Sequence, residues 1–373
     1  LARGQVPTSG AYTGVGNPAQ IYYAPQVFSN LPSASGLQNS QIAIQNTTTA
    51  SMTVTVEFIP FPGITGLSTY TNSSITIEPG ASYLYDLSDE ANLSSTNPTV
   101  TGWTGSAIVS AGEGETISVI VNTFAGPNSL QTYNAFSSTE VGPSWSIPQF
   151  VSKLNNGLNT PVLVQNLSGV DIPIDDLTLS CVAATGFTPA TFDKTNATVI
   201  PANATFAFNP FGSSDVDYPA HWSGTCSLSS ATDKDVVALV QMRKPGVNEE
   251  LAAYEGLRGD SMDTQVIVPL ISKNQANGFA TAVTIKNLDL VNAAEVTLVY
   301  TPSESYVAGG GSADVITFDA TIPANGNLIQ SQRFSGTPEI PNGWYGSLLV
   351  EPATGATPRP LGALVQLTNT VAQ

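Results

Sequence analysis

Positive charge, histidine, cysteine and long apolar runs are all scarce in this chain, and each shortage removes a class of function. Eleven Lys and Arg stand against 28 Asp and Glu, a net charge of −17. A surface of that sign repels phosphate backbones, so nucleic acid is not an expected partner. The one histidine, His221, leaves little room for His-based metal ligation or acid–base steps, and its place beside a repeated tryptophan reads as a turn or strand end. Two cysteines are too few for a structural zinc centre. No stretch approaches the roughly 20 uninterrupted apolar residues of a membrane-spanning helix. The opening LARGQVPTSG lacks an apolar signal core, so the numbering is expected to start at the processed N-terminus of a secreted protein. No G-x-S-x-G, G-x-G-x-x-G, P-loop or H-E-x-x-H pattern occurs; neither enzymatic activity nor a cofactor is expected. Carboxylate clusters at Asp86, Asp89 and Glu90 and at Asp171, Asp175 and Asp176 lack EF-hand spacing and read as solvated loop groups.

What the chain does have is neutral polar sequence, turn residues and repetition. Charged residues are 10% of the total, far below the roughly 25% of an average soluble protein, so the solvated faces must be mostly Ser, Thr, Asn and Gln. One set of motifs recurs three times in the same order. Each copy opens on an X-Pro strand, at Ala24-Pro25-Gln26, Ile147-Pro148-Gln149 and Val268-Pro269-Leu270. A second strand ends at Gln45-Asn46, Gln165-Asn166 or Lys286-Asn287, and a third at Phe58, Cys181 or Tyr300. A turn follows at Ile77-Glu78-Pro79-Gly80, Ile200-Pro201-Ala202-Asn203 and Ile322-Pro323-Ala324-Asn325. The sharpest marker is Trp-x-Gly ahead of a strand, at Trp103 and Gly105, Trp222 and Gly224, and Trp344 and Gly346.

Short Val, Ile, Thr and Tyr runs between Gly, Pro and Asn turns, without helical periodicity, read as antiparallel strands. The expectation is an all-β chain of three tandem immunoglobulin-like or jelly-roll β-sandwich modules at 20–139, 140–260 and 261–373, preceded by a strand and linker at 1–19. The repeated tryptophans read as sheet-to-sheet packing and not as a sugar platform. Cys181 and Cys226, 45 residues apart, fall at core-like positions of the repeat. They read as a disulfide in an oxidising compartment, with two buried free thiols as the alternative. Six Asn-x-Ser/Thr triplets, at Asn46, Asn72, Asn92, Asn166, Asn196 and Asn203, lie in turns or at strand edges and are candidate glycosylation sites.

The repeat is unequal at its two ends. Modules one and two close with one more strand, around Thr132-Tyr133-Asn134-Ala135-Phe136 and Ala253-Tyr254-Glu255-Gly256-Leu257. Module three shows no such segment after Ala363-Leu364-Val365-Gln366, so it is expected to lack its final strand and to leave that strand as an open acceptor edge. Ahead of module one stands an orphan with the closing-strand pattern, Ala11-Tyr12-Thr13-Gly14-Val15. Tyr12 precedes Tyr133 by 121 residues, and Tyr133 precedes Tyr254 by 121.

An N-terminal spare strand ahead of an incomplete sandwich resembles the donor-strand-exchanged extracellular filaments of bacteria and archaea, pili and glycosylated threads among them. That resemblance implies a structural or adhesive fibre, a homopolymer joined head to tail, with surface glycans or other cells as possible further partners. Two other readings stand beside it: a monomeric S-layer or adhesin-like surface protein, and a carbohydrate-binding protein. A closed ring, with the strand returning to module three of its own chain, is the alternative to an open polymer.

Overall fold

The computed structural model describes residues 17–126, 129–211, 218–244, 246, 250–258, 263–332 and 338–369. The segment Ala11 to Val15 lies outside the described residues. Almost all regular structure is β. Module one contains β1 (Ile21–Ser29), β2 (Leu31–Ser33), β3 (Gly36–Asn46), β4 (Met52–Pro60), β5 (Tyr70–Ile77), β6 (Ser82–Asp86), β7 (Trp103–Ser110), β8 (Ile117–Ala125), β9 (Ser129–Asn134) and β10 (Phe136–Ser137). Module two contains β11 (Ser144–Ser152), β12 (Val162–Asn166), β13 (Leu177–Ala183), β14 (Thr191–Thr195), β15 (Thr205–Phe208), β16 (Trp222–Ser230), β17 (Val236–Lys244) and β18 (Glu250–Glu255). Module three contains β19 (Val266–Ser272), β20 (Phe279–Asn287), β21 (Ala294–Pro302), the short helix α1 (Glu304–Ala308), β22 (Ile316–Ile322), β23 (Asn327–Ser331), β24 (Tyr345–Pro352) and β25 (Leu361–Asn369).

Each group folds into two antiparallel sheets. In module two their orders are β11-β16-β13-β14 and β15-β12-β17-β18; module three repeats them as β19-β24-β21-β22 and β23-β20-β25. Module one has β10-β1-β7-β4-β5 facing β2-β3-β8-β9, with β6 also paired to β3. Strict alternation fixes the faces. Along β8, Ile117, Val119 and Val121 are fully buried while Ser118, Ile120 and Asn122 are only partly so, the period of two that a sandwich face requires.

Three local devices recur because each solves a backbone problem. The X-Pro strands all carry a register shift at the proline, between Ala24 and Val27, Ile147 and Phe150, and Val268 and Ile271. Proline has no N–H for the ladder, so a bulge accommodates it. The turn after β5, β14 and β22 needs a left-handed residue, and Gly80, Asn203 and Asn325 supply it at φ 67°, 66° and 53°. In the Trp-x-Gly marker the glycine is dictated by space. A Cβ at Gly224 would stand 2.2 Å from the Val182 carbonyl and 2.4 Å from the Trp222 ring, and Gly105 and Gly346 are equally confined. The tryptophan lies over its own glycine and fills the core; Trp103, Trp222 and Trp344 are among the largest fully buried side chains or nearly so.

One junction joins the modules, and the chain uses it twice. The bulged X-Pro strand of one module sits on the outer face of the next module's second sheet. Thr205 Oγ1 donates to the Pro25 carbonyl at 2.8 Å, and the equivalent Asn327 Nδ2 donates to the Pro148 carbonyl at 3.0 Å. Beside this contact Ser106 Oγ donates to the Asn203 carbonyl at 2.9 Å, which also accepts from Gln165 Nε2 at 3.1 Å. At the second junction Lys286 takes the place of Gln165. Its ammonium donates to Thr225 Oγ1 at 2.6 Å, Asn325 Oδ1 at 2.7 Å and the Asn325 carbonyl at 3.1 Å.

Candidate assembly interface

The edge expected to be open is open among the described residues. β25 pairs with β20 along its whole length, from Leu361 against Asn287 to Asn369 against Phe279. On its other side the Leu361 N–H donates to the Asp263 carbonyl at 2.9 Å, and no ladder continues from there. In the other two modules that side is taken: Val121 of β8 faces Tyr133 of β9, and Val240 of β17 faces Tyr254 of β18. The consequence shows in the side chains. Val121 and Val240 are fully buried, whereas the equivalent Val365 is 43% exposed and Leu367 55% exposed. Both point toward the sandwich interior, and among the described residues no strand covers them. Of the expected acceptor residues, Ala363, Leu364 and Gln366 are half-buried, and Gln366 Nε2 donates to Met242 Sδ of module two at 2.8 Å.

The two closing strands that are present define what such a groove accepts. The hydroxyl of Tyr133 donates to the Gln26 carbonyl at 2.6 Å, and that of Tyr254 donates to the Gln149 carbonyl. Burial pushes both phenols well above their ordinary value. Two residues on, the Ala135 and Gly256 N–H groups donate to the Val119 and Ala238 carbonyls at 3.1 and 2.8 Å. Only small residues suit that point, since a Cβ on Gly256 would come 3.1 Å from the Trp145 ring. The strand then crosses to the first sheet, where Phe136 pairs with Tyr23 and Leu257 with Ser146.

Cys181 and Cys226 are bonded, their Cα atoms 4.0 Å apart and directly opposite on β13 and β16. The same paired positions hold Phe58 and Ala107 in module one and Tyr300 and Leu348 in module three, so the disulfide occupies core volume that side chains fill elsewhere. His221 adopts a left-handed turn conformation at φ 56° and is exposed.

The glycosylation expectation needs correction at three of its six sites. Asn46, Asn166 and Asn196 are fully buried. Asn46 Nδ2 donates to the Ala50 and Ile77 carbonyls at 2.7 and 3.0 Å. Asn166 Nδ2 donates in the same way to Val170 and Ile200 at 2.7 and 2.9 Å, and Asn287 repeats the arrangement in module three. Asn196 Nδ2 donates to Pro173 at 2.7 Å. A glycan bonds through that same nitrogen, so these residues tie turns together and cannot carry one in this fold. Asn92 is exposed, and Asn72 and Asn203 are half-buried, leaving those three positions reachable.

The sequence reading did not single out the outer faces of the modules, nor two ionisable groups buried near module contacts. Burial brings Lys286 down to about 7. Burial, and then the nearby Glu140 carboxylate, bring Glu255 up to about 7. Their only sequence signal is position: Lys286 stands where the other modules have glutamine, and Glu255 lies within a closing strand. Between modules one and two a cleft of about 440 Å³ is lined by Gln26, Phe28, Leu163, Ala207 and Gln241 among others.

No described protein family matches the chain, and no curated protein sequence matches it. Among solved structures, the crystal structure of Thermotoga maritima 1070 aligns with 33% of this chain and 97% of its own, at 14% identity and a TM-score of 0.25.

Proposed function

We propose that this protein is the structural subunit of an extracellular filament, growing head to tail as the segment Ala11 to Val15 of one copy completes module three of the next. The observation that carries the reading is the uncovered pair Val365 and Leu367 on the unpaired side of β25, at the place where the other modules hold a tyrosine-bearing closing strand. An unpaired edge over exposed apolar side chains invites strand addition. The segment in phase with the two closing strands is the candidate to fill it.

The repeat sets the register. Tyr12 faces Val365 as Tyr133 faces Val121, and its hydroxyl donates to the Leu270 carbonyl, the counterpart of Gln26 and Gln149. Gly14 stands at the tight point, and Val15 runs beside Ile267, which is 72% exposed. Several ladder hydrogen bonds at a net ~0.5–1.5 kcal/mol each, with Tyr12 and Val15 burying roughly 1.5–3 kcal/mol apiece, give a strong joint. A contact of this kind joins unlike surfaces and propagates into a fibre unless its rotation closes. The disulfide and the accessible Asn92 suit the outside of a cell.

The test is assembly of the chain with and without its N-terminal segment. The intact protein is expected to form regular fibres by negative-stain microscopy, and a chain lacking residues 1–18 to form none. A peptide spanning Gln5 to Gly16 is expected to bind the truncated protein and raise its melting temperature, and the same peptide carrying Gly14→Trp to do neither. Fibres from the truncated chain, or a monomer from the intact one, would refute the donation; the second result points to the monomeric surface-protein reading.

A further inference from the structure

We infer that successive copies also meet face to face, module three of one against module one of the next, through a third use of the junction that the chain already contains twice. The inference takes the order of copies from the head-to-tail filament, but its contacts are side chains outside the donated strand.

The reasoning is a comparison of equivalent positions. At both internal junctions the bulged X-Pro segment is covered: Pro25, Gln26 and Pro148 are buried. In module three nothing among the described residues covers the same segment, and Pro269 is exposed with Leu270 51% exposed. The receiving face behaves in the complementary way. Thr205, Gln165 and Lys286 are fully buried beneath a preceding module, while their module-one counterparts Ser82 and Gln45 are exposed; Leu84 is 54% exposed, against 38% for its counterpart Ile329 at the second junction. One molecule therefore presents both halves of an interface whose full form is visible twice within it. Its own two halves do not cover each other.

The chemistry at the free halves matches. The donor at the proline carbonyl is Thr205 at one junction and Asn327 at the other; Ser82 supplies a hydroxyl at the same place, aimed at the Pro269 carbonyl. Ser106 and Thr225 are buried hydroxyls hydrogen-bonded to the next module, and their counterpart Ser347 is partly exposed. Gln45 matches Gln165, whose amide donates across the turn at Asn203. At the first junction Gln26 and Ala207 line the cleft; at the second the equivalent pair is Gln149 and Ile329, the isoleucine 38% exposed; at the free ends it is Leu270 and Leu84, apolar on both sides and more exposed on both. An exchange that leaves leucines bare on a free end is accounted for when each is the other's cover. The step from copy to copy then equals the step from module to module, and the filament is a uniform array of sandwiches.

The test uses the full chain. Both native cysteines are joined to each other, so an introduced thiol is the only free one. Copies carrying Ser82→Cys and copies carrying Leu270→Cys are mixed during assembly and treated with a short bismaleimide. The expected product is a covalent pair of chains from the mixture and from neither variant alone. Leu84→Glu, on an exposed site, is expected to fold normally and to weaken chain–chain association by roughly tenfold or more, read by sedimentation. Filaments that form without the cross-link, and with Leu84→Glu assembling like the parent, would overturn the stacked interface and leave strand donation standing. Cross-linked pairs that never grow into fibres would support the interface and count against the filament. A parent chain that stays monomeric at every concentration would overturn both.

Discussion

Glu255→Gln isolates one buried carboxyl, and its effect on stability should run opposite to the usual acid denaturation. Glu255 lies in β18, the closing strand of module two, where its carboxyl accepts the Asn134 N–H from β9 of module one and stands near Glu140. Burial is the larger cause of its raised value and the Glu140 charge the smaller, and together they bring it from 4.5 to about 7. Below pH 4.5 the carboxyl is protonated both folded and unfolded, and the shift contributes nothing. As pH rises from 4.5 to about 7 the unfolded chain releases its proton while the folded chain keeps it, so stability falls across that window and stays low above it. At 1.36 kcal/mol per unit the loss is roughly 3 kcal/mol. Urea melts at steps from pH 4 to 8.5, followed by tryptophan fluorescence, measure it. The variant should match the parent near pH 4 and exceed it at pH 8, its curve flatter across the window. A Glu255→Gln protein with the parent's pH slope would refute the account.

Trp222→Ala should unfold module two, because the ring is fully buried at 4.8 Å from Phe192, centroid to centroid, and its Nε1 donates to the Pro189 carbonyl at 2.9 Å. The loss is about 3–5 kcal/mol, and an unchanged melting temperature would remove the tryptophan from the core. Reducing Cys181 and Cys226 reopens a 45-residue loop and should cost module two about 3–4 kcal/mol in the loop-entropy account; calorimetry with and without reductant checks it. Burial holds Lys286 at about 7 against 10.5 unfolded, so stability should rise with pH between those values as the folded side chain sheds its proton first. Lys286→Gln, which copies Gln165, should abolish that rise in a urea series extended to pH 10.5.

The strands, the repeat and the bare edge of module three were legible in the sequence because each is written locally. A strand that buries one face alternates every second residue; a left-handed turn admits Gly80, Asn203 or Asn325 and little else; a tryptophan packed over its own chain needs Gly105, Gly224 or Gly346 two residues on. Three aligned copies then singled out the closing strand of modules one and two by its tyrosine, 121 residues apart in the two. The glycosylation pattern misled at Asn46, Asn166 and Asn196 for a physical reason. Asn-x-Ser/Thr favours turns whether its amide faces water or donates to buried carbonyls, and those outcomes differ only in what the rest of the chain lays over it. Lys286 and Glu255 were opaque for the same reason. A side chain's own neighbours in sequence say that it lies on a sheet's outer face; whether that face meets solvent or another module depends on residues a whole module away. The sequence by itself determined each sandwich, since period and turn chemistry act over a few residues. Only the tertiary structure decided which outer faces are covered, because the junctions bring together side chains such as Thr205 and Pro25, separated by 180 residues.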